Sequence, residues 1–356
     1  MTRTALCFVI TSLFLVCPVV AQTGETPPTA PAPPPATPEP EYPIIRVGVL
    51  SYLQYDAELN RDNFNAFDVT RAYLNVNGQL AENVRFRFTP DIRRLNDSNL
   101  AGSLVLRVKY AFLEYDNFKI AKSWVRFGAH QTPWLDFEES IDRYRVQGPM
   151  FSEREGVIPG SSDLGLGYFT PLGKYAEVQT GVYNGEGYAL AEANKYKSLQ
   201  GRLTVRPFAD RGLLNGFRLS GFYSAGRFAR RRPRNVGIVM GSYEAQHVAT
   251  TLQYVTATEG PLALAPREFD RGGPSGFVEI RQGLSGWALL ARLDSFDPDR
   301  SIPDTSQVRT IAGGAYWVQW QRSRFALVVT NEQVHYDAGS ARPQENRLLV
   351  QTLIEF

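Results

Sequence analysis

The chain of 356 residues is poor in two residue types on which many active sites and metal sites depend. It has two cysteines, Cys7 and Cys17, and both lie among its first 21 residues. If that segment is removed, the rest of the chain has no disulfide, no cysteine nucleophile and no cysteine metal ligand. Its three histidines, His130, His247 and His335, form neither a His-Glu-x-x-His metal motif nor an evident pair with a nucleophile. We therefore predict that the protein is not an enzyme and has no cofactor.

The chain also lacks a charge imbalance and long hydrophobic runs. Lys and Arg number 38 against 36 Asp and Glu, and a net charge of +2 argues against a nucleic-acid partner. Beyond residue 43 no apolar run reaches ~18 residues, which excludes membrane-spanning helices there. A hydrophobic share of 43% with 12% aromatic residues excludes disorder throughout. The abundance of Tyr, Phe and Gly favours strands.

The first 43 residues read as an export and spacer region. Arg3 precedes an apolar stretch that ends in Val19 and Ala21, so residues 1–21 are predicted to be a signal peptide cleaved after Ala21. A retained membrane helix and lipoprotein processing at Cys17 are the alternatives. Residues 22–43 contain nine prolines, which favour an extended periplasmic linker over a partner-binding motif. The folded domain is then 44–356.

Two-residue alternation dominates the folded region. Apolar and charged residues change places along Val84 to Phe88, along Leu104 to Tyr110 and along Leu348 to Phe356. Because successive side chains of a strand point to opposite faces, each such run gives one apolar and one polar face. Marking these runs yields about 16 strands.

The predicted connections alternate between short turns, such as 78–83, and long loops, such as 132–162 and 225–234. An antiparallel up-and-down sheet then has all its long loops at one end. A soluble β-sandwich would show the same alternation, but it does not extend over ~300 residues. Only a closed barrel can expose an apolar β-face to lipid. The predicted fold is therefore all-β, a transmembrane antiparallel up-and-down β-barrel of about 16 strands in the bacterial outer membrane.

Two further features fit such a barrel. Aromatic residues near strand ends suggest interfacial girdles; they are Tyr52, Tyr55, Tyr73, Tyr110, Tyr115, Trp124, Tyr183, Tyr223, Trp287, Tyr316, Trp317 and Trp320. The chain ends on Phe356, the last of five residues on one face. That ending resembles the terminal strand recognised by the barrel assembly machinery of bacteria.

At this point the sequence resembles a known family, the phosphate-selective porin O and P family of outer-membrane porins. The resemblance is carried by the segments Phe67 to Leu80, Ala111 to Tyr115, Val125 to Trp134, Ser152 to Arg154 and Asp163 to Tyr168. It implies a homotrimer, a water-filled channel and an inward-folded constriction loop. Only six of the 38 basic residues are Lys, whereas the phosphate-selective members use a lysine-rich pathway. Phosphate specificity is therefore not carried over.

Three groups of charged residues are candidates for controlling such a channel. The constriction loop carries both signs, in Asp136, Glu138, Glu139, Asp142, Arg143, Arg145, Glu153, Arg154 and Glu155, although a solvated external loop remains an alternative. Strand parity turns six wall cations toward the lumen, since lipid-facing charge is costly; they are Arg85, Arg87, Arg93, Arg107, Lys109 and Arg126. The third group is an external basic loop with Arg227, Arg230, Arg231, Arg232 and Arg234.

The inward cations predict a mild anion preference, unless wall carboxylates such as Asp91 and Glu114 neutralise them. The external basic loop would recruit anions, bind lipopolysaccharide phosphates or remain solvated. We thus predict a diffusion channel for small hydrophilic solutes, with outer-membrane lipid as its surroundings. A structural tether and a barrel enzyme are the alternatives.

Overall fold

The computed structural model describes residues 40–60, 64–94, 102–192, 194–229, 232–260 and 267–356. The predicted signal peptide and most of the predicted linker lie outside them. The described chain forms one closed barrel of 16 antiparallel strands, which confirms the predicted fold. Its strands are β1 Ile44–Glu58, β2 Asn65–Ala81, β3 Val84–Arg94, β4 Leu104–Asp116, β5 Trp124–Gln131, β6 Ser162–Leu172, β7 Ala176–Tyr183, β8 Ser198–Val205, β9 Phe217–Ala229, β10 Arg232–Ala245, β11 Val248–Glu259, β12 Phe269–Arg281, β13 Gly286–Phe296, β14 Gln307–Trp320, β15 Ser323–Tyr336 and β16 Glu345–Glu355.

Each strand pairs with its sequence neighbours, and β1 pairs with β16 to close the sheet. The closing register runs from Leu50 opposite Glu355 to Glu58 opposite Arg347. Beyond it, the Val49 N–H donates to the Phe356 carbonyl at 2.8 Å, and the Phe356 N–H donates to the Val49 carbonyl at 3.1 Å. The sheet therefore has no free edge at this seam.

Alternation along each strand separates an apolar outside from a mixed inside. On β13, Trp287, Leu289 and Leu293 are exposed on the outer face, whereas Arg292 and Asp294 are buried within. Such an outer face matches the lipid-facing band of a membrane barrel. Among the described residues, no helix is long and apolar enough to cross a membrane.

Most of the long connections join an odd strand to the next even strand and so lie at one end of the barrel, but the 11-residue connection 206–216 between β8 and β9 lies at the other end. One predicted loop is wrong in its bounds: residues 225–234 are mostly strand, because β9 continues to Ala229 and β10 begins at Arg232. Arg227, Arg232 and Arg234 therefore lie on strands. Arg230 and Arg231 lie outside the described residues.

The predicted aromatic girdle is also partly wrong. Tyr55, Tyr115, Tyr223, Trp287, Tyr316 and Trp320 do lie on the outer face of the barrel. In contrast, Tyr52, Tyr73, Tyr110, Tyr183 and Trp317 are buried inside it. Trp124 also has inward parity, since it lies opposite Asp116 and Phe169 and under the Arg126 guanidinium. Parity, rather than closeness to a strand end, decides which face an aromatic residue occupies.

Candidate functional site

The connection between β5 and β6, residues 132–161, folds into the barrel rather than away from it; we name it the inner loop. It contains two helices, α1 Leu135–Ile141 and α2 Phe151–Arg154, and a 3-10 turn, Arg145–Gln147. Its Asp142 carboxylate lies 3.6 Å from the Arg292 guanidinium on β13. Because β13 is eight strands away from β5 around the barrel, the loop crosses the lumen. The predicted inward fold is confirmed.

Apolar packing holds the inner loop against the inward faces of β9 to β16, which we name the far wall; the inward faces of β2 to β5 are the near wall. Trp134 is fully buried, and its ring centroid lies 5.8 Å from that of Phe222 on β9. Further along, Tyr144 lies 5.8 Å from Trp317 on β14, in an edge-to-face arrangement. The inward faces of β9 to β16 carry many apolar residues, such as Ile238, and these are buried with the loop. This side of the lumen is therefore filled by protein.

Hydrogen bonds fix the same loop at three points. The Tyr144 hydroxyl donates to Glu279 Oε1 at 2.7 Å, and the Arg143 Nε donates to the same oxygen at 2.9 Å. The Gln351 amide on β16 donates to the Val146 carbonyl at 2.9 Å. Because β12 and β16 both hold the segment, its position across the barrel is set by two separate walls.

Glu138 and Asp142 face the far wall rather than the open lumen. Glu138 is 2% exposed and accepts hydrogen bonds from the Trp134 indole at 3.1 Å and from the Gln253 amide at 2.5 Å. Burial raises the pKa of Glu138 to about 7, although the Arg292 charge opposes the shift. Burial likewise raises the pKa of Asp142. These two predicted constriction residues therefore anchor the loop.

The other predicted loop charges lie toward β2 to β5, the strands on the opposite side of the lumen. Asp136 is exposed, and the charges of Arg126 and Arg87 on the near wall act on it. Arg145 pairs with Glu139 at 3.2 Å and with Glu153.

The remaining loop pair, Arg154 with Glu155 at 2.8 Å, lies toward β14 and β15. There the Gln307 amide donates to Glu155, and the Glu332 charge acts on Arg154.

Three of the predicted wall cations have carboxylate partners. Arg85 lies 2.7 Å from Glu114 and also contacts Asp116. Arg126 contacts the same Glu114. The alternative of neutralisation by wall carboxylates therefore holds for these two.

Arg107 is likewise neutralised by a wall carboxylate, since its guanidinium is 2.9 Å from Asp91. Arg107 donates in addition to the Tyr188 hydroxyl at 2.5 Å. The side chain of Arg93 is not among those described.

Lys109 and Arg87, two other predicted wall cations, contact neutral groups, and so does Arg71, which was not predicted. The Lys109 ammonium is 3.2 Å from the Tyr73 hydroxyl and 5.2 Å from the centre of the Tyr110 ring. Arg87 lies 4.3 Å from the centre of that ring. Arg71 donates to the Tyr73 hydroxyl at 2.6 Å. We name these five residues the tyrosine–cation cluster.

Within the described part of the chain, no carboxylate lies within ion-pair distance of the three cations of this cluster. A bulge on β4 helps to build it: the register shifts between Thr89 and Pro90, so Lys109 and Tyr110 both point inward. Glu139 of the inner loop acts electrostatically on Lys109. The cluster therefore faces the loop across the narrow part of the lumen.

Below the cluster, toward the short-turn end, the lumen opens into a cavity of about 380 Å³. Its lining includes Arg46, Arg85, Arg87, Arg126 and Glu114. Four of these five are cations, and Glu114 pairs with two of them, Arg85 and Arg126.

Sequence reasoning missed Arg71, and it assigned Tyr73 and Tyr110 to the membrane interface. Ala72, Leu74 and Val76 alternate with Arg71 and Tyr73, so parity alone would have placed these two in the lumen. The Lys109 bulge, which turns Tyr110 inward, has no comparable pattern in the sequence.

The histidines take structural positions. His130 is buried and its Nδ1 lies 3.0 Å from the Gln131 carbonyl, while its ring packs on Tyr183. His247 Nδ1 lies 3.2 Å from the Arg281 carbonyl, and His335 is exposed on β15. Within the ranges described, no group of three or more His, Cys, Asp or Glu could hold a metal ion.

Comparison with known proteins finds relatives by structure alone. No protein-family model and no curated protein sequence matches the chain. An anion-selective porin from Comamonas acidovorans is similar over 88% of this chain and 100% of its own, with a TM-score of 0.63 and 12% identity. A loop-deletion mutant of OmpT, an outer membrane protein of Vibrio cholerae, covers 89% and 100%, with a TM-score of 0.60 and 14% identity.

The outer membrane channel DcaP of Acinetobacter baumannii is similar over 88% of this chain and 97% of its own, with a TM-score of 0.58 and 11% identity. At such identities the likeness establishes the fold. None of these comparisons points to the phosphate-selective porin O and P family in particular.

Proposed function

We propose that the protein is an outer-membrane porin, a water-filled diffusion channel for small hydrophilic solutes with a mild anion preference, and not an enzyme. The apolar outer face, the polar near wall and the inner loop across the lumen support a channel. Two structural neighbours are described as a porin and a channel. The single observation that carries the anion preference is the tyrosine–cation cluster, whose three cations lack carboxylate partners among the described residues.

The physical reason is electrostatic. Paired cations such as Arg85 and Arg107 contribute little field, because their carboxylates lie within 3 Å. Lys109 and Arg87 have no carboxylate within ion-pair distance among the described residues, and the Glu139 and Asp136 carboxylates of the inner loop act on them only from farther away. At ~8 Å a unit charge changes the energy of a passing ion by ~0.5 kcal/mol in water, before screening. Together they raise the local concentration of anions.

The test is the zero-current potential of the reconstituted channel in a salt gradient. Replacing Lys109 and Arg87 with Gln should lower the anion-to-cation permeability ratio by about two- to five-fold, with the larger effect at low salt. Arg342→Gln, in the external loop after β15, removes an exposed charge far from the cluster and should leave the ratio unchanged. An unchanged ratio in the K109Q/R87Q double variant at low salt would contradict the anion preference.

A signal peptide cleaved after Ala21 exports the chain, and residues 22–43 form a periplasmic linker before the barrel. Because the number of strands is even, both ends of the barrel then face the periplasm, and most long loops face outside. A neighbour described as a trimer supports a homotrimer. A folded barrel with near-zero conductance would instead favour the structural tether.

A further inference from the structure

The cavity below the tyrosine–cation cluster contains two arginines that Glu114 does not neutralise. Glu114 pairs with Arg85 and Arg126. Arg46 and Arg87 line the same cavity, and among the residues that the structure describes neither has a carboxylate within ion-pair distance. We name the space around these two arginines the lower site.

The sheet register places the two arginines on one row of inward-facing residues. Arg46 on β1 lies opposite Asn77 on β2, and Asn77 lies opposite Arg87 on β3. Neighbouring strands are about 4.8 Å apart, so the Cα atoms of the two arginines are about 10 Å apart, with Asn77 between them. Two side chains as long as that of arginine, converging from this distance, can hold one carboxylate between them, and the Asn77 amide is a further donor.

An aromatic ring continues the same row. Phe112 on β4 lies opposite Arg87 and lines the cavity. The Arg126 guanidinium is 5.0 Å from the centre of the Phe112 ring and 3.9 Å from that of Trp124, and the Arg87 guanidinium is 4.3 Å from that of Tyr110. The wall beside the two free cations therefore consists of rings and guanidinium groups. Such groups attract a further aromatic ring and offer a saturated ring no comparable contact.

The polar groups around the lower site favour a ligand with a single negative charge. Glu114 also lines the cavity, and it would repel the second charge of a phosphate dianion. Arg87 has only part of its donor set free, because its Nε donates to the Thr89 hydroxyl at 3.0 Å and its Nη2 donates to the Asn75 side-chain oxygen at 2.9 Å. A planar monoanion therefore fits the two arginines better than a tetrahedral dianion does.

We propose that the lower site binds an aromatic monocarboxylate, with the carboxylate between Arg46 and Arg87 and the ring against Phe112 and Arg126. The cavity, of about 380 Å³, has the size of sites that bind small molecules. This inference deepens the proposed function and rests on it, because it names a class of solute for the channel.

The test is saturation-transfer NMR of the ligand with the purified full-length protein in detergent, because this measurement detects weak binding and does not require conduction. Benzoate is compared with cyclohexanecarboxylate, which has the same charge and a saturated ring, and inorganic phosphate is the competitor. Benzoate should bind about three-fold more tightly than cyclohexanecarboxylate. Phosphate should bind most weakly of the three.

Two variants separate the charge from the ring. Arg46→Gln should weaken the binding of both carboxylates about five-fold, because one of the two cations that hold the carboxylate is lost. Phe112→Leu should weaken benzoate about three-fold and leave cyclohexanecarboxylate unchanged. The matched controls are Arg342→Gln, in the loop after β15, and Phe88→Leu, whose ring is 41% exposed on the outer face of β3. Both controls should bind the two acids like the unmodified protein.

The contradicting outcomes differ for the site and for the channel. Equal affinities for benzoate and cyclohexanecarboxylate in the unmodified protein would overturn the proposal, as would unchanged binding in R46Q. Tightest binding of phosphate would overturn it too and would assign the cavity to inorganic anions. The zero-current potential of the same variants is measured in parallel. An anion-selective channel that does not bind benzoate contradicts the lower site alone, and a protein that binds benzoate without conducting contradicts the porin and not the site.

Discussion

At the scale of single residues, strand parity predicts which way a charge points but not what it meets there. Arg107 and Lys109 both face inward, as expected, yet Arg107 pairs with Asp91 and Lys109 lies between two tyrosines. The pairing depends on the register between strands. That register is set by bulges and turn lengths, which a single sequence does not reveal.

Glu138 gives a pH-dependent prediction at this scale. Its native pKa of about 7 lies above the ordinary value of 4.5, so the folded loop binds the proton more tightly than the detached loop. Packing of the loop should therefore be most stable below about pH 4.5 and should weaken as the pH rises to ~7, by up to ~3 kcal/mol. Above ~7 the stability should level off.

The measurement is hydrogen exchange of the amides in α1, corrected for the intrinsic pH dependence of exchange. Protection should fall between pH 4.5 and 7 in the unmodified protein. Glu138→Gln cannot ionise and should show a flat profile across the same range. A slope that persists unchanged in E138Q would assign the titration to another group, such as Asp142.

At the scale of elements, the strands were predictable and the inner loop was predictable only in part. All 16 strands follow from alternation, because a lipid-facing surface demands apolar residues at every second position. The largest error, at residues 225–234, arose where five arginines suggested a loop although β9 and β10 continue through most of the segment. In the proposed membrane barrel, strand ends beyond the membrane are not constrained by lipid, so polar residues there do not mark a turn.

Apolar alternation has two causes in this barrel: contact of the outer face with lipid, and contact of the inner face with the inner loop. The sequence alone did not distinguish them. Val236, Ile238 and Met240 alternate on β10 but face inward, where they pack on the inner loop. Alternation shows that one face is apolar without saying whether lipid or protein covers it. The filling of one side of the lumen by side chains of the inner loop was therefore not predictable from the strands.

The anchor of this loop can be tested at Trp134. Its side chain is fully buried, and Trp134→Ala should remove about 3–5 kcal/mol of packing free energy from the loop. The sixteen strands hold each other by their own hydrogen bonds, so the barrel should remain folded. We expect loss of exchange protection in α1 and larger fluctuations of the single-channel current.

Trp320→Ala is the matched control, since Trp320 is 71% exposed on the outer face of β14. It should leave both the loop protection and the current unchanged. Full protection of α1 in W134A would show that the polar contacts of Arg143 and Tyr144 hold the loop without the apolar anchor.

At the scale of the whole molecule, the seam that closes the barrel extends to the last residue of the chain. Phe356 forms two backbone hydrogen bonds with Val49, one in each direction, at the end of the β1–β16 seam. Its ring is exposed on the outer face of the barrel. One residue therefore contributes both to the closing ladder and to the apolar surface of the terminal strand.

Deleting Phe356 should accordingly impair insertion far more than it changes the pore. Both hydrogen bonds and the terminal ring are lost, so we expect a several-fold lower amount of folded barrel in the outer membrane, measured by heat-modifiable electrophoretic mobility. Phe356→Ala retains the backbone hydrogen bonds and removes only the ring, and its level should be intermediate. The barrels that do insert should keep an unchanged zero-current potential, because the tyrosine–cation cluster lies on β2 to β4. Normal levels of folded barrel in the deletion variant would show that the rest of the β1–β16 seam, from Leu50 onward, suffices for closure and recognition.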